Sequence, residues 1–452
     1  MQRILPSCKP RPSVIFRKSA RSLARWRAEL ADCGRRTQPD EMRSLMMMNT
    51  FPPFYTGGAE VVAYHEARGL RARGVEVSAL VLNNRRPSAV DEWFTLDGIP
   101  IHRIHTPPVR RTHWRDAYDP RMYRHALAEI RRLKPDVVHL HNMSAVSLAP
   151  YVACRVAGIP VVNTLHDYWL LCTNNMLFDV NEKICSGATG PACGSCWRVY
   201  DHWADIPGRR LVFRTLTSNV KRFTSPSQKL IDLHVTAGYA RSRFVLIPSG
   251  LDERVTEPKH PVVRQLIASA PRHNNVIYAG GGVAPKGVAT LIEALPVLRE
   301  RIPDLRVVVV GGGERHFAAQ LAQYEPMVVR LERVPFGEMR GLFAAMDLTL
   351  SPSLWHDNSP TVIYESLQMG TPVAGAAVGG IPELIKEGET GYLFPVGDAA
   401  TLTERVAAHF QRTPLERRQM RQRCVADARE RLSLDLHVAR MIDTYRDVIG
   451  GR

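Results

Sequence analysis

The chain has 452 residues, too many for one domain of ordinary size and enough for two or three. Hydrophobic residues at 45% and charged residues at 23% exclude a fibrous or disordered chain, and no run of 18 uncharged apolar residues exists to cross a membrane. Lys and Arg number 60 against 44 Asp and Glu, a net charge of +16 that bears on partners and not on fold.

The basic excess is concentrated at the start. Residues 1–44 hold nine Arg and two Lys against four acids, a net +7. Phe16, Ala20, Leu23 and Leu30 fall roughly on one helical face, with Arg17, Lys18, Arg21, Arg25 and Arg27 among or opposite them. Such a basic amphipathic leader suits an anionic membrane surface, and it lacks the apolar core and cleavage site of a secretory signal. The plainer reading is a disordered extension, or a true start near Met42 or Met46.

From residue 45 short β-branched runs alternate with helical periodicity, the pattern of parallel α/β units. Strands are predicted at 45–49, 75–82, 136–141, 160–166, 223–227 and 244–249. A glycine-bearing loop, 50–58, leads into a helix over 59–73 that Gly74 stops. After a linker over 251–263, marked by Pro258 and Pro261, the pattern restarts. Strands are predicted at 276–279, 305–310, 348–351, 372–375 and 392–394, with a helical tail from about 402. The expected architecture is α/β: two doubly wound domains, 45–250 and 264–432, facing across a cleft. A final helix over 433–452 is expected to cross back to the first. Ligands in such sheets bind at the carboxyl ends of the strands.

The strongest chemical signal is Trp355-His356-Asp357-Asn358-Ser359-Pro360-Thr361-Val362-Ile363-Tyr364-Glu365. Two carboxylates stand eight residues apart around a turn that opens a helix near Pro360. Backbone N–H groups there are free to meet an anion, favoured by the helix dipole. Asp357 precedes the helix, where it can accept from a sugar hydroxyl, and Glu365 lies over one turn in, placed for another pair of hydroxyls. An anion between two hydroxyl-binding carboxylates describes a nucleoside diphosphate sugar. The alternative is a capped surface helix with incidental acids.

Together with Gly57-Gly58-Ala59-Glu60 and Gly379-Gly380-Ile381-Pro382-Glu383, this stretch resembles family 4 glycosyltransferases of the GT-B fold, over residues 45–452. The resemblance implies a retaining, metal-independent enzyme that needs no cofactor for catalysis and moves a sugar from a nucleotide sugar. Two Rossmann-like domains are implied, with acceptor in the first and donor in the second. The family usually has Glu at both ends of the acidic motif. Here Asp357 keeps the charge and shortens the reach by one methylene. The family commonly reads Gly-Arg-x-x-x-x-Lys in its glycine loop, whereas this chain has Gly280-Gly281-Gly282-Val283-Ala284-Pro285-Lys286-Gly287. Lys286 is present and Gly281 stands in the place of the Arg, so one cation is lost where leaving-group charge develops. Either Lys286 and helix N-termini suffice, an Arg from elsewhere reaches in, or the enzyme is impaired.

By the same resemblance Gly57 and Gly58 meet the donor phosphates or the acceptor, and His141 or His166 contacts the transferred sugar or the acceptor. Packing is the alternative for each of His139, His141 and His166. The implied donor set is Gly57, Gly58, Gly281, Lys286, Asp357, Asn358, Ser359, Pro360, Thr361 and Glu365. The catalytic set is Lys286, His141, His166 and Asp357. Front-face substitution assisted by the leaving diphosphate requires no separate base.

Cys172, Cys185, Cys193 and Cys196 lie within 25 residues that also hold Gly187, Gly190 and Gly194. Structural zinc would tie down such a loop, with unligated thiols or a disulfide as alternatives. Cys8, Cys33, Cys154 and Cys424 are scattered. Cysteines without a secretory signal suggest a reducing compartment, hence a cytoplasmic protein, peripheral at the inner face of the membrane through its leader. The expected partners are a nucleotide sugar and a saccharide or lipid-linked acceptor of cell-surface polysaccharide synthesis. Nucleic acid is not expected, since no RNA-binding signature accompanies the charge. The rival from another class is a non-catalytic nucleotide-sugar-binding or regulatory protein, motivated by Gly281.

Overall fold

Two sheets order the chain. The computed structural model describes residues 42–53, 57–83, 91–105, 113–144, 146–179, 181–185, 193, 196, 206–255 and 257–451, and Met42–Arg452 form one unit. The basic leader up to residue 41 and most of the cysteine-rich loop beyond residue 185 lie outside the described residues.

The first sheet holds β1 (Arg43–Met48), β2 (Glu76–Asn83), β3 (Glu92–Leu96), β4 (Ile99–His105), β5 (Val137–Leu140), β6 (Val161–Thr164), β7 (Val220–Ser225) and β8 (Phe244–Leu246). Its order is β3-β4-β2-β1-β5-β6-β7-β8, parallel throughout except for the β3–β4 hairpin. The second holds β9 (Asn274–Ala279), β10 (Leu305–Val310), β11 (Val328–Leu331), β12 (Leu348–Ser351), β13 (Val373–Ala376) and β14 (Gly391–Phe394), in the order β11-β10-β9-β12-β13-β14. All six β10 residues, LRVVVV, are buried, as a strand covered on both faces requires. Strand order reverses between β1 and β5 and between β9 and β12, and each reversal opens a crevice at the strand ends. The fold is the α/β arrangement expected of GT-B.

β3, β4 and β11 were not among the expected strands. β4 reads IPIHRIH, and its polar residues sit inside because they find partners there. His102 Nδ1 lies 3.2 Å from Glu129 Oε2, and Arg103 Nη1 pairs with Glu92 at 3.3 Å while its Nη2 donates to Phe51 O. The 251–263 segment is also shorter as a linker than expected, because a helix starts at Pro261.

The tail forms three helices, Ala399–Gln411, Pro414–Arg431 and Leu434–Gly450. Thr413 and Glu416 form a capping box at the second, and Ser433 caps the third. The last helix packs against the Gly58–Ala72 helix and against β5, β6 and β7. The approach is close: a Cβ on Gly69 would collide with Val438. A buried polar cluster ties these elements together. Glu66 Oε1 lies 2.9 Å from His139 Nδ1, and Glu66 Oε2 lies 3.0 Å from His437 Nε2. His437 Nδ1 donates to Pro248 O at 2.8 Å, and Tyr445 OH lies 2.7 Å from His139 Nδ1. Burial opposes ionisation of Glu66, yet His139, His437 and His141 outweigh it and hold the carboxyl well below its usual range.

At the carboxyl ends of β9 and β10 two glycine turns lie backbone on backbone. Gly282 N donates to Gly312 O at 3.0 Å, and Glu314 N donates to Gly282 O at 2.8 Å. Gly281 has φ +70°, and a Cβ there would stand 2.8 Å from Gly312 O. Only glycine takes that conformation and that approach without strain, which gives a physical reason for Gly281 where the resembling family has Arg. Gly281→Arg should therefore destabilise the chain by about 1–3 kcal/mol in urea unfolding. Unchanged stability with faster turnover would show that the loop accommodates a side chain there.

Candidate functional site

Beyond Ala279 the glycine loop ends in a short turn, Ala284–Lys286, and Gly287 (φ +73°) starts the Val288–Arg301 helix. Tyr278 OH donates to Gly281 O at 2.7 Å and fixes the loop. Lys286 Nζ then meets Asp357 Oδ2 at 2.7 Å, 71 residues away in sequence and one strand away in space. Ser353 Oγ donates to the same oxygen at 2.9 Å, and Lys286 Nζ stands 5.3 Å from the centre of the Trp355 ring. Asp357 is 5% exposed, so its two hydrogen bonds meet the demand of a buried carboxylate. Lys286, Ser353, Asp357, Pro360, Thr361 and Gly280 line one cavity at this switch point, and Lys286 is the one cation among its described wall residues.

The Thr361–Gln368 helix begins at that wall, with Pro360 at its cap position. Ser359 is held there by Tyr364, whose OH lies 2.7 Å from Ser359 Oγ and accepts from Ser249 N. Glu365 lies deeper on the helix and off the cavity wall. It is 3% exposed, and its Oε1 has no hydrogen-bond partner among the described residues. Burial pushes its pKa up to about 7, and Arg340 pulls the other way. A carboxyl raised in this way keeps a proton in the folded state that the unfolded chain loses. Stability therefore falls as pH rises from the ordinary carboxyl range towards 7.

Asn358 has a different place from the rest of the motif. Its Oδ1 accepts from Ser227 Oγ at 2.5 Å, joining the second sheet's acidic loop to the first sheet's β7 end. Glu383 makes the parallel contact. Its two carboxylate oxygens accept from Gln228 N at 2.7 Å and Lys229 N at 2.8 Å, capping the Gln228–Thr236 helix from across the cleft. Gly379 and Gly380 allow this, because their backbone lies directly on Asp357 and Asn358, with Gly380 N donating to Asp357 O at 2.9 Å. The roles of Asn358 and Glu383 escaped sequence reasoning because their partners are 131 and 155 residues away.

The facing wall comes from the first sheet. Gly58 opens the Gly58–Ala72 helix, and a Cβ on it would stand 2.8 Å from Thr361 Cγ2, so two helix N-termini meet across the cleft. Next to Gly57, Glu60 accepts from Thr50 Oγ1 at 2.8 Å. His141 Nδ1 and His166 Nε2 are 3.0 Å apart. Burial lowers His166 to about 4 and holds His141 well below its usual value, so both rings are neutral near pH 7. Burial raises Asp167 to about 6, helped by the Glu60 charge, while the Trp169 N–H donates to its Oδ1 at 2.9 Å. His139 does not face the cleft. It is fully buried, with Nε2 2.7 Å from Thr164 Oγ1 and Nδ1 turned to Tyr445.

Among the described residues, the His, Cys and carboxylate side chains close enough to share an ion are Glu66, His139 and His141. Both His139 nitrogens already have protein partners, so the group is a hydrogen-bonded cluster. Among the described residues the cysteines form no such group. Cys172 Sγ donates to Asn174 Oδ1 at 2.8 Å, and Cys185 N pairs with Leu177 O at 2.8 Å in a small hairpin.

Residues 273–412 match the family model described as glycosyl transferases group 1, and residues 56–255 match glycosyltransferase family 4. A phosphatidyl-myo-inositol mannosyltransferase of Mycobacterium leprae is 24% identical over 372 residues, spanning 80% of this chain and 86% of that protein. A D-inositol 3-phosphate glycosyltransferase of Pseudarthrobacter chlorophenolicus is 25% identical over 356 residues, spanning 75% and 78%. Among solved structures, Anabaena HepE in complex with UDP and glucose superposes with TM-score 0.65 at 19% identity, covering 90% of this chain and 100% of that one. Sucrose-phosphate synthase from Thermosynechococcus elongatus gives TM-score 0.68 at 16% identity, covering 91% and 100%.

Proposed function

Because the chain belongs to the family 4 glycosyltransferases of GT-B fold, we propose that it moves a sugar from a nucleoside diphosphate sugar to a saccharide or lipid-linked acceptor. Transfer proceeds with retention and without a metal ion. One observation carries this reading: the Lys286–Asp357 pair lies at the second sheet's switch point, beside the Thr361 helix start and facing Gly58.

In this reading the diphosphate takes Lys286 from Asp357, with the first N–H groups of the Thr361–Gln368 helix beside it. Asp357, released, accepts from a sugar hydroxyl, and Glu365 accepts from the ribose hydroxyls. The bond between the anomeric carbon and the diphosphate oxygen breaks while the acceptor oxygen bonds to the same face. The acceptor proton passes to the departing phosphate oxygen, so no side chain has to serve as base. His141 and His166, neutral near pH 7, are suited to hydrogen bonding with sugar or acceptor and not to acid catalysis. With Gly281 barred to larger residues, Lys286 and helix N–H groups supply the leaving-group stabilisation.

That single cation also favours the second reading, a nucleotide-sugar sensor without turnover. Release of nucleoside diphosphate from a panel of nucleotide sugars separates the two. A donor at 100 times its Kd should stabilise the chain by about 2.7 kcal/mol. Glu365→Gln should lose that donor-induced rise in Tm and, near pH 8, should raise the ligand-free stability by about 1–3 kcal/mol. A full donor-induced rise in the variant would remove Glu365 from the donor site.

The acceptor belongs to cell-surface polysaccharide synthesis in this reading, and the chain meets it peripherally at an anionic membrane. No helix among the described residues is long and apolar enough to span one. The support is the leader's net +7, since each basic side chain near such a surface contributes about 1 kcal/mol. Co-sedimentation with anionic vesicles should fall with added salt and on deletion of residues 1–41, which leaves β1 intact. A full-length chain that ignores such vesicles at low salt would refute the membrane arm alone.

A further inference from the structure

Arg340 is an unexpected residue in the interior. It lies in the Phe336–Ala344 helix, is 2% exposed, and belongs to no motif. A guanidinium so placed has lost its hydration and needs a reason to be there. Its Nη1 donates to Gln368 Oε1 at 2.9 Å, and Gln368 Nε2 donates onward to Leu251 O at 3.2 Å. Its Nη2 has no hydrogen-bond partner among the described residues.

Gln368 follows Glu365 by three residues, so the two side chains share a face of the Thr361–Gln368 helix, which packs on the helix of Arg340. The acids whose charge reaches Arg340 are Glu365, Asp252 and Glu253. Asp252 is already paired, with Arg68 Nη1 at 3.1 Å and Arg254 Nη2 at 2.5 Å, and Glu253 is exposed. His65, on the Gly58–Ala72 helix, feels Arg340 and is held at about 4 by burial, hence neutral near pH 7. Glu365 is left as the buried acid without a direct ion pair, and Arg340 as the buried cation without one.

We infer that Arg340 is a positioning residue for the donor: tethered by Gln368, it favours the ionised form of the Glu365 carboxyl from a distance while leaving Oε1 without a protein partner among the described residues. This rests on the reading of Glu365 as the acceptor of the donor's hydroxyls. The arrangement differs from an ordinary salt bridge in a useful way. A guanidinium in contact would occupy the oxygens that the ligand needs, whereas an absent one would leave a protonated acid that accepts poorly. Burial already carries the Glu365 carboxyl up to about 7, so the balance of charge beside it decides its state near neutrality.

The test uses the full chain and whichever of UDP, GDP and ADP binds it tightest, titrated from about pH 6 to about pH 9. Arg340→Met should move the rise in affinity to higher pH by about one unit or more, a loss of about tenfold near pH 7 that recovers at high pH. Arg340→Lys should restore the original profile, and Arg340→Gln should repeat the shift if the Met variant does not fold. Weakening by the same factor at every pH, or a Lys variant no better than Met, would overturn the inference and leave Arg340 a structural tether. The reading beneath it fails separately, through nucleotide affinity that Glu365→Gln leaves untouched.

Discussion

A lysine and an aspartate brought together from neighbouring strand ends set the character of this molecule. Lys286 and Asp357 meet at 2.7 Å, where the carboxylate is buried and the lysine side chain is 32% exposed, so the pair chiefly satisfies the Asp357 charge. The pair closes only if the β9 and β12 loops are held in one geometry. Tyr278 and the stacked glycine turns hold the first loop, and Ser353 with the Gly379–Gly380 backbone holds the second. The site is thereby pre-organised and yet exchangeable. Both charges have a partner before a ligand arrives, and a diphosphate with a sugar offers each of them another.

The same loops also join the two sheets. Asn358 and Glu383 reach across to Ser227, Gln228 and Lys229, and Thr361 abuts Gly58. On the far side the last helix returns to the first sheet, where the Glu66 carboxylate links it through His437 to Pro248, in the chain between the sheets. Residues that would hold the donor are thus one bond removed from residues that fix the cleft. Substitutions in the acidic loop will alter the cleft as well as the ligand contacts, and rate measurements alone will not separate the two.

Much of this was legible in the residues. The apolar stretches within β1 and β10, Gly74 after the first helix, and the spacing from Asp357 to Glu365 all express local rules, and they led to the parallel sheets and to the paired carboxylates around the Thr361 helix start. β4 was hidden because His102 and Arg103 look like surface residues until Glu129 and Glu92 are seen beside them. The interface roles of Asn358 and Glu383, and the Glu66–His437 contact, depend on pairings across hundreds of residues that no periodicity reveals. Gly281 looked like a defect in a cation site. Its positive φ and its contact with Gly312 make it a requirement of the turn.

The central claim is that the Lys286–Asp357 pair is the donor's place, and a crystal structure of the chain with a nucleoside diphosphate tests it most directly. The account predicts Lys286 Nζ on a phosphate oxygen, its 2.7 Å contact with Asp357 opened, and the Gly281 turn unmoved against Gly312. A diphosphate bound elsewhere, with Lys286 still on Asp357, would contradict it.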